Sequence, residues 1–66
     1  MPKISLAAAR INAGYTQDQV ASILKVAPST VRNWESGKTT PNLQKVSELC
    51  ELYNMSYDYI DFVRNK

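Results

Sequence analysis

The chain has 66 residues, of which 44% are hydrophobic and 21% charged, and this is the composition of one small folded domain. It contains no histidine and one cysteine, which excludes a disulfide framework, a zinc cluster and every histidine-based catalytic triad. We therefore expect a single domain over residues 1–66 that is not an enzyme and needs no metal or cofactor. A domain this small has little room for a small-molecule substrate cavity.

The apolar stretches are short and interrupted by charged residues, so the sequence predicts no membrane-spanning segment and no secretory signal. A reducing, cytoplasmic location is therefore expected. No linker or second domain is visible either, which favours a complete protein over a domain cut from a longer one.

The net charge of +2 is unevenly distributed along the chain. Residues 1–47 carry six lysines and arginines against two acidic residues, whereas residues 48–66 carry two against four. A basic front and an acidic back suit a protein that presents one side to a polyanion. Chance scatter of small numbers is the alternative interpretation.

Two helices are predicted at the start of the chain. The alanine-rich segment 3–13 favours helix, and Gly14 follows it where a left-handed residue can end a helix. Thr16 and Gln19 have the spacing of a capping box, in which each side chain satisfies a backbone amide of the other. This pattern predicts a second helix over 17–24.

A third helix is predicted over 28–36. Pro28 suits its first position because the amide hydrogen that proline lacks would be unpaired there, and Gly37 suits its end. Residues 25–27 leave only a tight turn between the second and third helices. Two helices joined by so short a turn cross steeply, which is the helix-turn-helix arrangement, here over about residues 17–36.

Two further helices are predicted, over 42–53 and 57–64. In the second of these, Ser56 is the expected cap, and Ile60 and Val63 are expected to point inward. The apolar stripe of the first consists of Leu43, Val46, Leu49, Cys50 and Tyr53. No segment alternates as a strand does, so the sequence predicts an all-α, compact five-helix bundle.

The third helix has two different faces when its residues are placed at helical intervals. The inward face consists of Ala27, Thr30, Val31 and Trp34. The outward face consists of Pro28, Ser29, Arg32, Asn33 and Ser36. The outward face is polar or basic with no acidic member, as required of a helix that enters the major groove of DNA. A plain solvated face is the alternative.

The segment TQDQVASILKVAPSTVRNWESGKTTPNLQKVSELCELY resembles the DNA-binding domain of phage repressors and Cro proteins, the XRE-like regulators. The resemblance covers about residues 4–62 and implies a lambda-repressor-like fold. The residues that carry it are Thr16-Gln17, Ala21, Val31, Trp34 and Glu35-x-Gly37.

The resemblance implies roles for individual residues. The residues expected to face bases are Gln17, Pro28, Ser29, Arg32 and Asn33. The residues expected to contact phosphates are Gln17, Ser36, Lys38 and Thr39. Arg10 and Glu35 match a structural ion pair between the first and third helices. The alternative for Arg10 is a free side chain that is solvated or contacts phosphate.

Two positions depart from the pattern of the family. Lys25 stands where a glycine usually supplies a left-handed residue, and Ala27 stands where a serine or threonine usually caps the third helix. Pro28 can offer a base only an apolar contact, for instance with a thymine methyl group. Direct readout is therefore expected chiefly from Ser29, Arg32 and Asn33.

The resemblance implies a sequence-specific, double-stranded DNA-binding transcriptional regulator. We expect a small repressor of a bacterium or phage-infected host that covers a promoter. It would bind a palindromic operator as a weak homodimer whose surface includes Tyr53, Tyr57, Tyr59 and Phe62. The alternative is a protein-interaction module, such as an antitoxin or antirepressor, that binds a partner protein through these C-terminal aromatic residues.

Overall fold

The computed structural model describes residues 3–62, which contain four α-helices and a short parallel ladder. The helices are α1 (Leu6–Ala13), α2 (Gln17–Leu24), α3 (Pro28–Ser36) and α4 (Leu43–Tyr53). A 3-10 turn (Tyr57–Tyr59) leads into the second strand of the ladder, and the strands are β1 (Ile4–Ser5) and β2 (Ile60–Asp61). The helix-turn-helix pair therefore has the predicted bounds.

Local capping residues set where α1 and α2 begin. The hydroxyl oxygen of Ser5 accepts the amide hydrogen of Ala8 at 3.0 Å, so α1 starts at Leu6, three residues later than predicted. The predicted capping box of α2 is confirmed. Its Thr16 hydroxyl accepts from the Gln19 amide at 3.1 Å, and the Gln19 side chain accepts from the Thr16 amide at 2.8 Å.

Left-handed residues end all four helices. Gly14 and Gly37 occupy this region at φ +87° and +84°, and both were predicted as caps. Lys25 and Asn54 adopt it with a side chain present, at φ +60° and +54°. Lys25 is the more costly of the two, because asparagine tolerates the left-handed region better than lysine does.

Replacing Lys25 with glycine is expected to raise the free energy of unfolding by about 1 kcal/mol. A side chain in the left-handed region costs about 1–2 kcal/mol, and part of the gain is offset by the greater freedom of glycine in the unfolded chain. Urea unfolding followed by circular dichroism measures the change. Lys25→Ala is the matched control, and an equal gain from alanine would attribute the effect to the lysine side chain.

The predicted fifth helix over 57–64 is wrong. After the 3-10 turn, the chain extends and pairs in parallel with β1, with Ile4 opposite Ile60 and Ser5 opposite Asp61. Ile60 is buried and Asp61 exposed, so the segment alternates as a strand does. The described fold is therefore mostly helical with four helices and one strand pair. Val63, also predicted to point inward, lies outside the described residues.

The core is one cluster of buried side chains from the four helices and the C-terminal segment. Its members are Leu6, Ala9, Val20, Ala21, Leu24, Val31, Trp34, Val46, Leu49, Tyr53, Ile60 and Phe62. Leu43 does not belong to it, since it is 84% exposed, and the apolar stripe of α4 starts at Val46. Cys50 is half-buried, and burial raises the pKa of its thiol.

The turn between α2 and α3 is closed by its own backbone. The amide of Val26 donates to the carbonyl of Ala21 at 2.9 Å, and the Val26 side chain packs against the core. Ala27 precedes α3 in an extended conformation without a side-chain cap, and it is exposed rather than inward as predicted. With α3 packed on both α1 and α2, its opposite face is turned to solvent.

Candidate nucleic-acid interface

The solvent-facing side of α3 carries the polar residues predicted for base contact. Pro28, Ser29 and Arg32 are exposed, and Asn33 is half-buried beside them. Val31 and Trp34 face the other way, with 1% and 6% of their surface exposed. A rigid helix with a buried apolar side and a polar, basic outer side can lie in a DNA major groove.

The predicted phosphate-contacting residues of the α3–α4 loop are held close to the end of α3. The carbonyl oxygen of Asn33 accepts from the backbone amides of Lys38 at 3.0 Å and Thr39 at 3.3 Å. It also accepts from the hydroxyl of Ser36 at 3.2 Å. These bonds fix the backbone of the loop, so the exposed Lys38 side chain extends from a defined position next to the outer face of α3.

Arg10 and Glu35 form an ion pair that joins α1 to the end of α3. Arg10 Nε donates to Glu35 Oε2 at 2.7 Å, and Arg10 Nη2 donates to Oε1 at 3.3 Å. Arg10 Nη1 also donates to the carbonyl of Tyr15 at 2.9 Å, just before α2. The side chains are only 14% and 6% exposed. The guanidinium of Arg10 therefore makes these hydrogen bonds inside the protein and holds the end of α3 against α1.

Gln17 lies at the first position of α2, and its side chain is turned toward the ion pair. Its Nε2 donates to Glu35 Oε1 at 2.9 Å. The backbone position of Gln17, at the amino end of α2, suits a phosphate contact, because the amides of a helix start attract anions. The sequence predicted that Gln17 contacts DNA, but gave no sign of its bond to Glu35.

Tyr53 adjoins the same ion pair from α4. Burial raises the pKa of its phenol, with the negative charge of Glu35 adding to the shift and Arg10 opposing it. Its ring lies 6.4 Å from that of Tyr15, between centroids. Tyr53 is 5% exposed, so it is a core residue.

Only part of the predicted aromatic dimer surface is accessible. Phe62, like Tyr53, is 5% exposed, which corrects the placement of both residues on that surface. Tyr57 and Tyr59 are 54% and 43% exposed. Tyr57 stacks on Phe62 with ring centroids 5.5 Å apart, and Lys3 Nζ lies 6.0 Å from the Tyr57 centroid. The exposed aromatic patch therefore consists of Tyr57 and Tyr59.

Sequence reasoning missed a second link between helices. Lys45 Nζ on α4 donates to the carbonyl of Leu24 at 2.9 Å and to Glu48 Oε1 at 3.2 Å. A cation at the last carbonyls of α2 is stabilising, because the carboxyl end of a helix is partially negative. The spacing of Lys45 and Glu48 was visible in the sequence, but the carbonyl it reaches depends on how α4 packs.

Within residues 3–62, no group of three or more histidine, cysteine or acidic side chains is placed to hold a metal ion. In the same part of the chain, no helix combines the length and apolar character needed to cross a membrane.

The packing of α2 against α3 and the polar outer side of α3 define a helix-turn-helix protein. Residues 6–60 match the helix-turn-helix family, and the chain belongs to it. The resemblance to XRE-like regulators noted from the sequence is thereby confirmed.

The chain is 36% identical over 52 residues to the HTH-type transcriptional regulator ImmR of Bacillus subtilis (strain 168). The matched segment is 79% of this chain but 41% of that relative, so the chain spans less than half the length of the curated relative it matches.

Proposed function

We propose that the protein is a sequence-specific, double-stranded DNA-binding transcriptional regulator, a small repressor of the Cro and phage-repressor type. It would cover a promoter in the cytoplasm of a bacterial or phage-infected host and carry out no chemistry. The observation that carries the proposal is the outer side of α3, which has one basic residue, Arg32, and no exposed acidic residue. The acidic residue of α3, Glu35, is turned into the ion pair with Arg10.

The groups on this face have the chemistry that base recognition needs. The guanidinium of Arg32 can donate two hydrogen bonds to guanine, and the amide of Asn33 can pair with adenine through one donor and one acceptor. Ser29 can donate to or accept from either base or phosphate, and Pro28 can contact a thymine methyl group. The exposed Lys38, in the loop after α3, is proposed to neutralise a phosphate without reading sequence.

We expect Arg32→Ala and Asn33→Ala each to weaken binding to the cognate duplex by about 1–3 kcal/mol and to relax specificity. Lys38→Ala is expected to weaken binding to all sequences alike and to reduce the salt dependence of the affinity. The cognate duplex is first selected from a random pool, and affinities are then measured by fluorescence anisotropy at several salt concentrations. Equal, small losses from all three substitutions would contradict the assignment of the α3 face to the major groove.

Two copies of the domain are expected on one operator. A single module buries about 600–1,000 Å² of protein surface on DNA, which gives only moderate affinity, and dimers bind half-sites about 34 Å apart. Tyr57 and Tyr59, exposed near the acidic end of the chain, are the proposed contact between copies. We infer a homodimer that is weak in free solution and stable on a palindromic duplex.

Gel filtration with and without the palindromic duplex is expected to show a monomer alone and two chains per duplex in the complex. Tyr57→Ser with Tyr59→Ser should reduce the cooperativity of binding to two half-sites and leave binding to an isolated half-site unchanged. One chain per palindrome, protecting a single half-site, would contradict the dimer.

The exposed tyrosines also favour a second candidate, a protein-interaction module that binds a partner protein. Tyr57 and Tyr59 are large, half-exposed rings, of the kind enriched at protein interfaces. If this is the main function, affinity for a protein partner survives Arg32→Ala with Asn33→Ala and is lost with Tyr57→Ser and Tyr59→Ser. The repressor proposal requires instead that affinity for an isolated DNA half-site is lost with Arg32→Ala and Asn33→Ala and survives the two tyrosine substitutions.

A further inference from the structure

The carboxylate of Glu35 does more than pair with Arg10. Its Oε1 accepts from Arg10 Nη2 at 3.3 Å and from Gln17 Nε2 at 2.9 Å. Through these bonds, one buried carboxylate at the end of α3 joins the first residue of α2 to the middle of α1. The side chain of Glu35 is 6% exposed, whereas Gln17 lies at the border with solvent.

The bond fixes how the amide of Gln17 is turned. A carboxylate only accepts hydrogen bonds, so it holds the nitrogen of the amide and would repel the oxygen. One of the two Nε2 hydrogens is thus bound to Glu35. The second remains available to an acceptor, and the rotamer of a flexible side chain is fixed before any ligand arrives. A donor held in place loses less conformational entropy on binding than a mobile one.

We propose that Glu35 is a positioning residue for DNA binding, which holds the Gln17 amide so that its second hydrogen meets a backbone phosphate. The inference rests on the proposed function, because it names how one phosphate contact of that interface is prepared. Phosphate oxygens are acceptors only, so the contact requires the nitrogen of the amide.

Arg10 explains how a carboxylate can act this close to a polyanion. Its guanidinium donates to both oxygens of Glu35, so the pair is neutral as seen from the DNA. The phosphate then meets a neutral amide donor and not a net negative charge. Arg10 therefore serves the contact indirectly, by neutralising Glu35.

A binding cycle in two backgrounds separates positioning from a purely structural role of Glu35. The second background is Arg10→Met with Glu35→Leu, because replacing a buried ion pair with packed apolar side chains can preserve stability. Gln17→Ala is made in both backgrounds, and affinities are measured for the duplex selected from the random pool. Urea unfolding establishes that each protein is folded at the assay temperature.

In the wild-type background, Gln17→Ala is expected to raise Kd about three- to tenfold, as the loss of one hydrogen bond does. In the background that carries Arg10→Met and Glu35→Leu, Gln17→Ala is expected to change Kd less than about twofold, because the amide is no longer held. Lys38→Ala is the matched control and should cost the same in both backgrounds. Equal costs of Gln17→Ala in the two backgrounds would overturn the proposal and leave Glu35 a structural residue.

Neutral methylphosphonate substitutions at single phosphates locate the contact. At one phosphate, methylphosphonate is expected to weaken binding by the wild type. The same change should leave binding by Gln17→Ala, or by Arg10→Met with Glu35→Leu, unaffected. If the protein with Arg10→Met and Glu35→Leu does not fold, Glu35→Asp replaces it. Aspartate keeps the negative charge beside Arg10, but its side chain is one carbon shorter and moves the oxygens away from Gln17. The Glu35→Asp variant is then expected to lose its sensitivity to methylphosphonate at that phosphate. A folded variant that keeps this sensitivity would overturn the inference.

The failure of the inference can be told apart from that of the proposed function. If Gln17→Ala leaves Kd unchanged while Arg32→Ala raises it, Glu35 positions nothing for DNA and the repressor proposal stands. If the random pool yields no bound duplex, both are overturned.

Discussion

Replacing Arg10 with alanine is expected to lower the free energy of unfolding by about 3–5 kcal/mol. The substitution leaves the carboxylate of Glu35, whose side chain is 6% exposed, without the charge that its two oxygens bind. An uncompensated charge in the interior is far more costly than a missing pair on the surface. The Arg10→Ala substitution also removes the bond from Arg10 Nη1 to the carbonyl of Tyr15. A domain of this size is stable by only about 3–10 kcal/mol, so the loss is a large part of its total stability.

The loss is measured by urea unfolding followed by circular dichroism at neutral pH. Arg10→Met combined with Glu35→Leu is the control, and it is expected to recover most of the stability because it removes both charges together. A loss below about 1 kcal/mol from Arg10→Ala would be that of an exposed pair, and would contradict the burial of this one.

The helix-turn-helix pair could be predicted from the sequence because its boundaries are set by local chemistry. Thr16 and Gln19 cap each other within one turn, Pro28 fits a helix only in its first turn, and Gly37 ends one. Each signal acts over three or four residues. No knowledge of the rest of the fold is needed to place α2 and α3.

The C-terminal segment could not be predicted in the same way, because its partner is distant in the chain. Ile60 pairs with Ile4, and neither residue carries a local sign of the other. Ile60 and Val63 have the spacing of a helix, and a strand of two residues is too short to show an alternation in the sequence. Leu43 misled similarly, since its spacing from Val46 is helical but the first turn of α4 lies beyond the core.

The candidate site likewise contains features that local sequence predicts and features that depend on residues distant in the chain. The outer side of α3 follows from helical periodicity, whereas the Arg10 and Glu35 pair was indicated by a resemblance and not by spacing, as these residues are 25 apart. The bond of Gln17 to Glu35 depends on the rotamers of two long side chains. It required the three-dimensional arrangement of α1, α2 and α3.

Replacing Trp34 with alanine is expected to cost about 3–5 kcal/mol, the second large effect. Its side chain is 6% exposed and lies in the core cluster beneath the outer side of α3, so truncation leaves a cavity there. Because Trp34 is the single tryptophan, unfolding is followed by far-ultraviolet circular dichroism. Trp34→Phe is the matched control and should lose less, since a phenyl ring fills much of the same space.

The two variants also separate support of α3 from contact with DNA. If Trp34 only supports the helix, Trp34→Phe should bind the selected duplex with nearly wild-type affinity wherever it is folded. Arg32 and Asn33 then remain in place on an intact outer face. Full stability of Trp34→Ala together with a large loss of affinity would place the indole at the DNA. That result would contradict its burial and reverse which side of α3 faces the groove.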